Sequence, residues 1–222
     1  MSVRLKPDTT DDETHTSMLE ARDLACVRGQ RQLFARVSFV MQPGDCCEVK
    51  GPNGSGKTSL LRILCGLLPP TGGEVLWRGA PVGECREEYL AAVTYVGHRS
   101  SIKHELTALE NLCVSAALSG WDVSRQEARA ALARMGLEGL EDVPGRRLSE
   151  GQQRRVGLAR LVACRTPVWF LDEVQTALDE TATRVIMAAI EEHLAEGGVA
   201  VIATHQPLEL VRHRSRRIEL AA

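Results

Sequence analysis

No stretch of this 222-residue chain is long and apolar enough to cross a bilayer as a helix. A span needs roughly 18 consecutive apolar residues. The best run, Ser59–Leu68, is shorter and carries Arg62. The apolar core of a signal peptide is missing from the N-terminus. So is a basic excess: the formal net charge is -2, which removes the electrostatic case for nucleic acid as a partner. Seven cysteines (Cys26, Cys46, Cys47, Cys65, Cys85, Cys113 and Cys164) include no CxxC pair, so neither a disulfide framework nor a zinc site is indicated. There is no internal repeat and no linker long enough to separate two independent domains. These absences describe a cytosolic chain with buried, inert thiols, held at a membrane only if a partner holds it there.

What is present describes a globular protein. Hydrophobic residues make up 44% of the chain, which suffices for one large domain or two tightly packed subdomains. Met1–Ser17 is polar and without periodicity and reads as a disordered tail, leaving an ordered unit from Met18 to Ala222. Val37–Val40 and Cys46–Lys50 read as strands joined by a turn at Gln42–Asp45. A glycine-rich loop, Gly51–Gly56, leads into a helix over Lys57–Leu68, stopped by Pro69-Pro70. Glu74–Trp77 and Ala92–Val96 are further strands. Between about Ile102 and Cys164, alanine, leucine and charges recur at helical spacing, as in Arg125–Met135, and mark a helical insertion. Val168–Leu171 and Val199–Ala203 are short apolar strands flanking an amphipathic helix over Glu180–Ala195, with a last strand over Arg217–Leu220. Strands alternating with helices predict an α/β fold with a mainly parallel sheet.

Gly51-Pro52-Asn53-Gly54-Ser55-Gly56-Lys57-Thr58 matches GxxxxGK[ST] at every fixed position. Glycines allow a tight turn in which successive N–H groups face one anion, and the following helix aims its positive end there. Lys57 can reach the β- and γ-phosphates of a nucleotide, and the Thr58 hydroxyl can ligate Mg²⁺. Gly51 to Thr58, with Ser59 next on the helix, are thus candidate nucleotide contacts. A chance glycine-rich turn is the competing reading. The strand before the loop and the helix after it count against chance.

Val168-Trp169-Phe170-Leu171 ends in two acids, Asp172 and Glu173. Ligands of parallel sheets sit at the carboxyl ends of the strands, which puts Asp172 where it can hold Mg²⁺. Glu173, facing another way, suits the alignment or deprotonation of an attacking water. Alone, the pair reads equally well as a helix cap; the phosphate loop upstream favours the functional reading.

Leu148-Ser149-Glu150-Gly151-Gln152, placed between these two motifs, resembles the LSGGQ signature of ABC transporter ATPases. The resemblance covers nearly all of Met18 to Leu220. It implies the ABC-type ATPase domain of P-loop NTPases, with an antiparallel β subdomain and a helical subdomain (about 100–165) beside the core sheet. It also implies a homodimer of ATPase subunits sandwiching two ATP molecules head to tail. Ser149, Gly151 and Gln152 would then meet the nucleotide of the other subunit; without the family, Ser149 is an ordinary helix cap. Thr176-Ala177-Leu178-Asp179 resembles the loop that crosses to the partner. His205 resembles the histidine that contacts the γ-phosphate, and without the family it reads as a plain loop histidine.

Four positions depart from the usual pattern. His98 stands where a glutamine is expected and Arg28 where an aromatic stacks on adenine; both remain candidate nucleotide contacts, since a guanidinium also stacks on a flat base. Glu150 replaces a signature glycine and Val174 a proline. Gly97-His98, the run from Ile102 to Leu112, Glu20-Ala21-Arg22 and Gln152–Arg155 resemble the haem exporter ATP-binding subunits of cytochrome c biogenesis, the CcmA family. That resemblance implies ATP hydrolysis coupled to transport at the cytoplasmic face of the inner membrane. It also implies an integral CcmB-like subunit with a CcmC-like protein as partners. No haem-attachment motif is present, so direct haem contact is not expected. The competing readings are another ABC exporter (lipid or drug), a soluble ABC ATPase acting on DNA or ribosomes, and a nucleotide-binding regulator without turnover.

Overall fold

A computed structural model of the chain describes residues 17–97, 102–174, 178–205, 208, 210 and 215–221. In chain order its elements begin with β1 (Leu19–Arg28), β2 (Arg31–Met41), β3 (Cys46–Lys50), α1 (Lys57–Leu64), β4 (Gly72–Trp77), β5 (Ala80–Pro81), α2 (Arg86–Ala91) and β6 (Val93–Val96). They continue with α3 (Ala108–Leu118), α4 (Arg125–Arg134), α5 (Glu150–Cys164), β7 (Val168–Asp172), α6 (Glu180–Ala195), β8 (Val199–Ala203) and β9 (Ser215–Glu219). Two sheets result: an antiparallel one in the order β2-β1-β4-β5, and a wholly parallel one in the order β6-β7-β8-β3-β9.

The inner parallel strands β7 and β8 read as apolar runs because both their faces are covered, whereas the edge strand β9 is exposed except at Ile218. Cys47, Val49, Val168, Phe170, Val199 and Val201 point into one core, shared with α1 and the antiparallel sheet. Their neighbours Cys46, Trp169, Leu171, Ala200 and Ile202 point into a second core, shared with α3, α4, α5 and α6. The two-residue period of a strand thus places one layer of structure on each side of the sheet.

Several features differ from the sequence expectations, among them β2, which begins at Arg31 rather than Val37. Strand β1 was not anticipated, because its buried set Leu19, Ala21, Leu24 and Cys26 changes phase at Arg22-Asp23. A bulge there, with Asp23 at φ 47, breaks the alternation that marks a strand. Helix α1 ends at Leu64 rather than Leu68. Gly66 takes φ +72, its N–H bonds Ile63 O and the Leu67 N–H bonds Arg62 O, so a glycine cap closes the helix before the prolines are reached. Helix α2 was likewise unforeseen. The expected tail lies outside the described residues except for Ser17.

Cys26, Cys46, Cys47, Cys65 and Cys164 are buried, and all seven thiols are free. Burial pushes Cys46 up to about 12 and Cys65 up to about 11, which agrees with inert thiols. In the second core, His193 stacks flat on Trp169 with ring centroids 3.8 Å apart, and its Nε2–H donates to Val199 O at 3.1 Å. Burial lowers its pKa from 6.5 to about 4.

The folded state therefore keeps His193 neutral while the unfolded chain takes up a proton below pH 6.5. Stability is retained above that pH and lost as pH falls towards 4. Denaturant titrations at pH 7 and pH 4.5 are expected to show about 2–3 kcal/mol more acid loss in the wild type than in His193→Phe, which keeps the stack. Equal losses would contradict a neutral buried His193.

Candidate nucleotide site

Strand β3 delivers the chain to Gly51, where the phosphate loop begins. The Leu220 N–H bonds Lys50 O at 2.8 Å, fixing the loop's base against the end of β9. Gly56 caps α1 at φ 103, a conformation that side chains disfavour. A Cβ there would also stand 3.1 Å from both Leu33 Cβ and Phe34 Cδ1 of β2. Gly56 brings no side-chain acceptor and the first turn of α1 holds no acid, so the first-turn amides and the positive helix end are left for an outside anion. The Ser55 hydroxyl in the same loop is buried and has no hydrogen-bond partner among the described residues. These features fit a bound phosphate group.

Lys57 is 6% exposed and folds back over its own loop. Its ammonium donates to Gly51 O at 2.8 Å and Pro52 O at 3.2 Å. The carboxylate Oε1 of Glu173 lies 3.9 Å from Lys57 Nζ and 3.1 Å from His205 Nε2. His205 Nε2 also sits 3.2 Å from Lys57 Nζ and 3.1 Å from Asn53 Oδ1. An ammonium only donates, so Nε2 faces Lys57 as an acceptor, whereas it must donate to Asn53 or Glu173. The ring's tautomer decides which contact forms.

Asp172 closes β7 and is 2% exposed. Its Oδ2 accepts from the Tyr95 hydroxyl at 3.3 Å. Burial raises the Tyr95 pKa, and the Asp172 carboxylate adds to the effect, so the phenol remains the donor. A carboxylate at Asp172 and a hydroxyl at Thr58 are oxygen donors of the kind Mg²⁺ takes alongside substrate phosphates and water. Glu173 departs from the strand with φ 52, a left-handed conformation uncommon for a residue with a side chain. Its N–H bonds Ala203 O at 2.9 Å and its carbonyl accepts from Arg154 at 3.2 Å.

The structure thus brings Lys57, Asn53, Glu173 and His205 into one cluster, with Asp172 beside Glu173 at the end of β7. Ser149, Gly151 and Gln152 lie elsewhere, at the start of α5. Ser149 Oγ accepts from the Gln152 N–H while the Gln152 side chain accepts from the Ser149 N–H, a reciprocal cap at an exposed helix end. Arg28 lies at the exposed end of β1, paired across the hairpin with Arg31. His98, Thr176 and Ala177 fall outside the described residues. Asp179 caps α6, accepting from the Ala182 N–H at 2.7 Å. Sequence reasoning missed Tyr95 and Arg154 as parts of the site. For Arg154 a signal existed, since it shares the buried stripe of Leu158 and Leu161 on α5, where an arginine is out of place.

Removing the Lys57 ammonium in Lys57→Ala should weaken ATP binding about 10- to 100-fold by calorimetric titration, as loss of a charge-assisted phosphate contact does. An unchanged Kd would contradict its place in the site.

Residues 34–176 match the ABC transporter family. The chain is 48% identical over 202 residues to the cytochrome c biogenesis ATP-binding export protein CcmA of Nitrosospira multiformis, covering 91% of this chain and 98% of the relative. The protein of the same name from Escherichia coli K12 is 44% identical, with 91% and 96% covered. Among solved structures, an ABC transporter ATP-binding protein from Pyrococcus furiosus superposes with a TM-score of 0.78 at 26% identity, covering 91% of this chain and 96% of that one. A dimeric ATP-binding cassette in a post-hydrolysis state, bound to ADP and Pi, gives a TM-score of 0.79 at 25% identity, covering 91% and 94%. The chain is therefore an ATP-binding subunit of the ABC transporter family, in the CcmA group.

Proposed function

We propose that the chain binds and hydrolyses Mg²⁺-ATP as a head-to-tail homodimer and drives a membrane-embedded haem exporter serving cytochrome c biogenesis. The observation that carries this reading is the convergence of Lys57, Glu173 and His205 within 3.9 Å of one another. Three residues distant in sequence meet where a triphosphate's terminal group would lie.

In the proposed cycle the loop amides and Lys57 hold the phosphates; Thr58 and Asp172 are the residues that would hold Mg²⁺, which would supply positive charge against the phosphate oxygens. Tyr95 keeps Asp172 in place. Glu173 orients water for in-line attack, and His205 contacts the γ-phosphate edge. The capped, exposed start of α5, with Ser149, Gly151 and Gln152, supplies the second anion site to the nucleotide of the other copy. The dimeric state of a structurally similar cassette and the self-complementary arrangement of a twofold interface support this. Among the described residues no helix is long and apolar enough to cross a membrane; in the proposed reading movement passes to a separate integral subunit, for which CcmB-like and CcmC-like proteins are the candidates. The peripheral cytoplasmic location follows from that docking.

Glu173→Gln is expected to cut phosphate release at least about 100-fold while leaving the Kd for ATP within about twofold, the pattern of a group needed only in the transition state. Rapid turnover by this variant would remove Glu173 from the reaction. Affinity purification of the full chain from membranes should recover an integral subunit of a cytochrome c maturation system; recovery of a lipid or drug exporter subunit instead would redirect the assignment.

A further inference from the structure

Glu173 holds a backbone conformation that costs energy. Residues fixed in sparsely populated backbone regions persist only where their surroundings over-determine them, at about 1–3 kcal/mol each. Three restraints act here. The Glu173 N–H is fixed by Ala203 O of β8 at 2.9 Å. The next side chain, Val174, is 1% exposed and anchored in the second core. The third restraint comes from α5, the helix that begins at the signature. Its Arg154 is 5% exposed and donates from one nitrogen to Glu173 O at 3.2 Å and Asp172 O at 3.5 Å. Its other terminal nitrogen donates to Gly97 O at 2.6 Å.

One guanidinium therefore ties together the carboxyl ends of β6 and β7, at Gly97 and at the strand end that carries Asp172 and Glu173. A planar fork suits this because it presents several donors in fixed directions, which an ammonium does not. Burying the charge is costly, and the carbonyls it meets, with the Asp172 carboxylate nearby, offset part of that cost. Core packing alone would favour leucine at such a position on the stripe.

We infer that Arg154 is a positioning residue: it holds Glu173 in its left-handed conformation, and so its carboxylate at the γ-phosphate position, and couples that placement to the signature helix on which Arg154 sits. The inference rests on the proposed role of Glu173 as the residue that orients water.

The experiment compares wild type, Arg154→Gln and Arg154→Lys as full chains in steady-state ATP hydrolysis. Arg154→Gln should lose roughly 10- to 100-fold in kcat, as small misplacements of catalytic groups do, with KM for ATP within about twofold. Arg154→Lys should recover part of the loss. In the Glu173→Gln background, Arg154→Gln should reduce residual turnover no further, because the positioned group is already gone. A crystal structure of Arg154→Gln should show Glu173 out of the left-handed region. Wild-type kcat in Arg154→Gln, an additive loss on Glu173→Gln, or an unchanged Glu173 φ would each overturn the inference. So would a parallel fall of kcat, nucleotide affinity and melting temperature in both arginine variants, which would mark a merely structural role. Absence of hydrolysis by the wild type would instead count against the proposed function, while the Glu173 conformation in the variant would still decide the positioning role.

Discussion

Everything at the site depends on the register of three parallel strands. β3 pairs with β8 so that Val49 lies opposite Ala203, and β7 pairs with β8 so that Asp172 lies opposite the same residue. That shared rung sets the start of the phosphate loop, the acidic pair and His205 at one edge of the sheet. A one-residue slip in any pairing would send alternate side chains to the wrong face and bury the wrong set in each core. Two apolar cores thus hold a charged cluster in place.

The same frame accounts for a lysine, a carboxylate and an imidazole lying together at the rim of the protein. Lys57 is almost enclosed, yet its hydrogens meet the carbonyls of its own loop, so the charge is solvated by the backbone. Glu173 is held through its main chain, and its carboxylate faces His205 and Lys57. The helical layer reaches this edge through α5: Arg154 grips Gly97 and Glu173, and Arg160 donates to Tyr95 O of β6 at 2.8 Å and to Ser115 of α3 at 3.0 Å. A movement of the signature helix cannot leave the ends of β6 and β7 untouched.

Much of this was legible in the sequence because local signals agreed with the fold. β3, β8 and α6 fall at their expected bounds, since unbroken apolar runs and a clear amphipathic period leave little room for another reading. The phosphate loop and Asp172-Glu173 were legible because their chemistry is carried by contiguous residues. What escaped is non-local or irregular. The bulge at Asp23 hid β1, and the glycine cap at Gly66 ended α1 before the prolines did. Tyr95 and Arg154 act across 77 and 18 to 57 positions of chain, a relation that spacing does not encode. The left-handed turn at Glu173 leaves no trace in residue type.

The claim on which the functional reading stands is that one chain carries two half-sites, a phosphate loop and a signature end, that only a second copy can bring together. The most direct measurement is the solution mass of the Glu173→Gln chain by light scattering with and without Mg²⁺-ATP. Doubling of the mass on adding nucleotide, reversed by Ser149→Arg at the signature end, is the predicted result. A chain that saturates with ATP yet stays monomeric, or a dimer indifferent to Ser149→Arg, would contradict it.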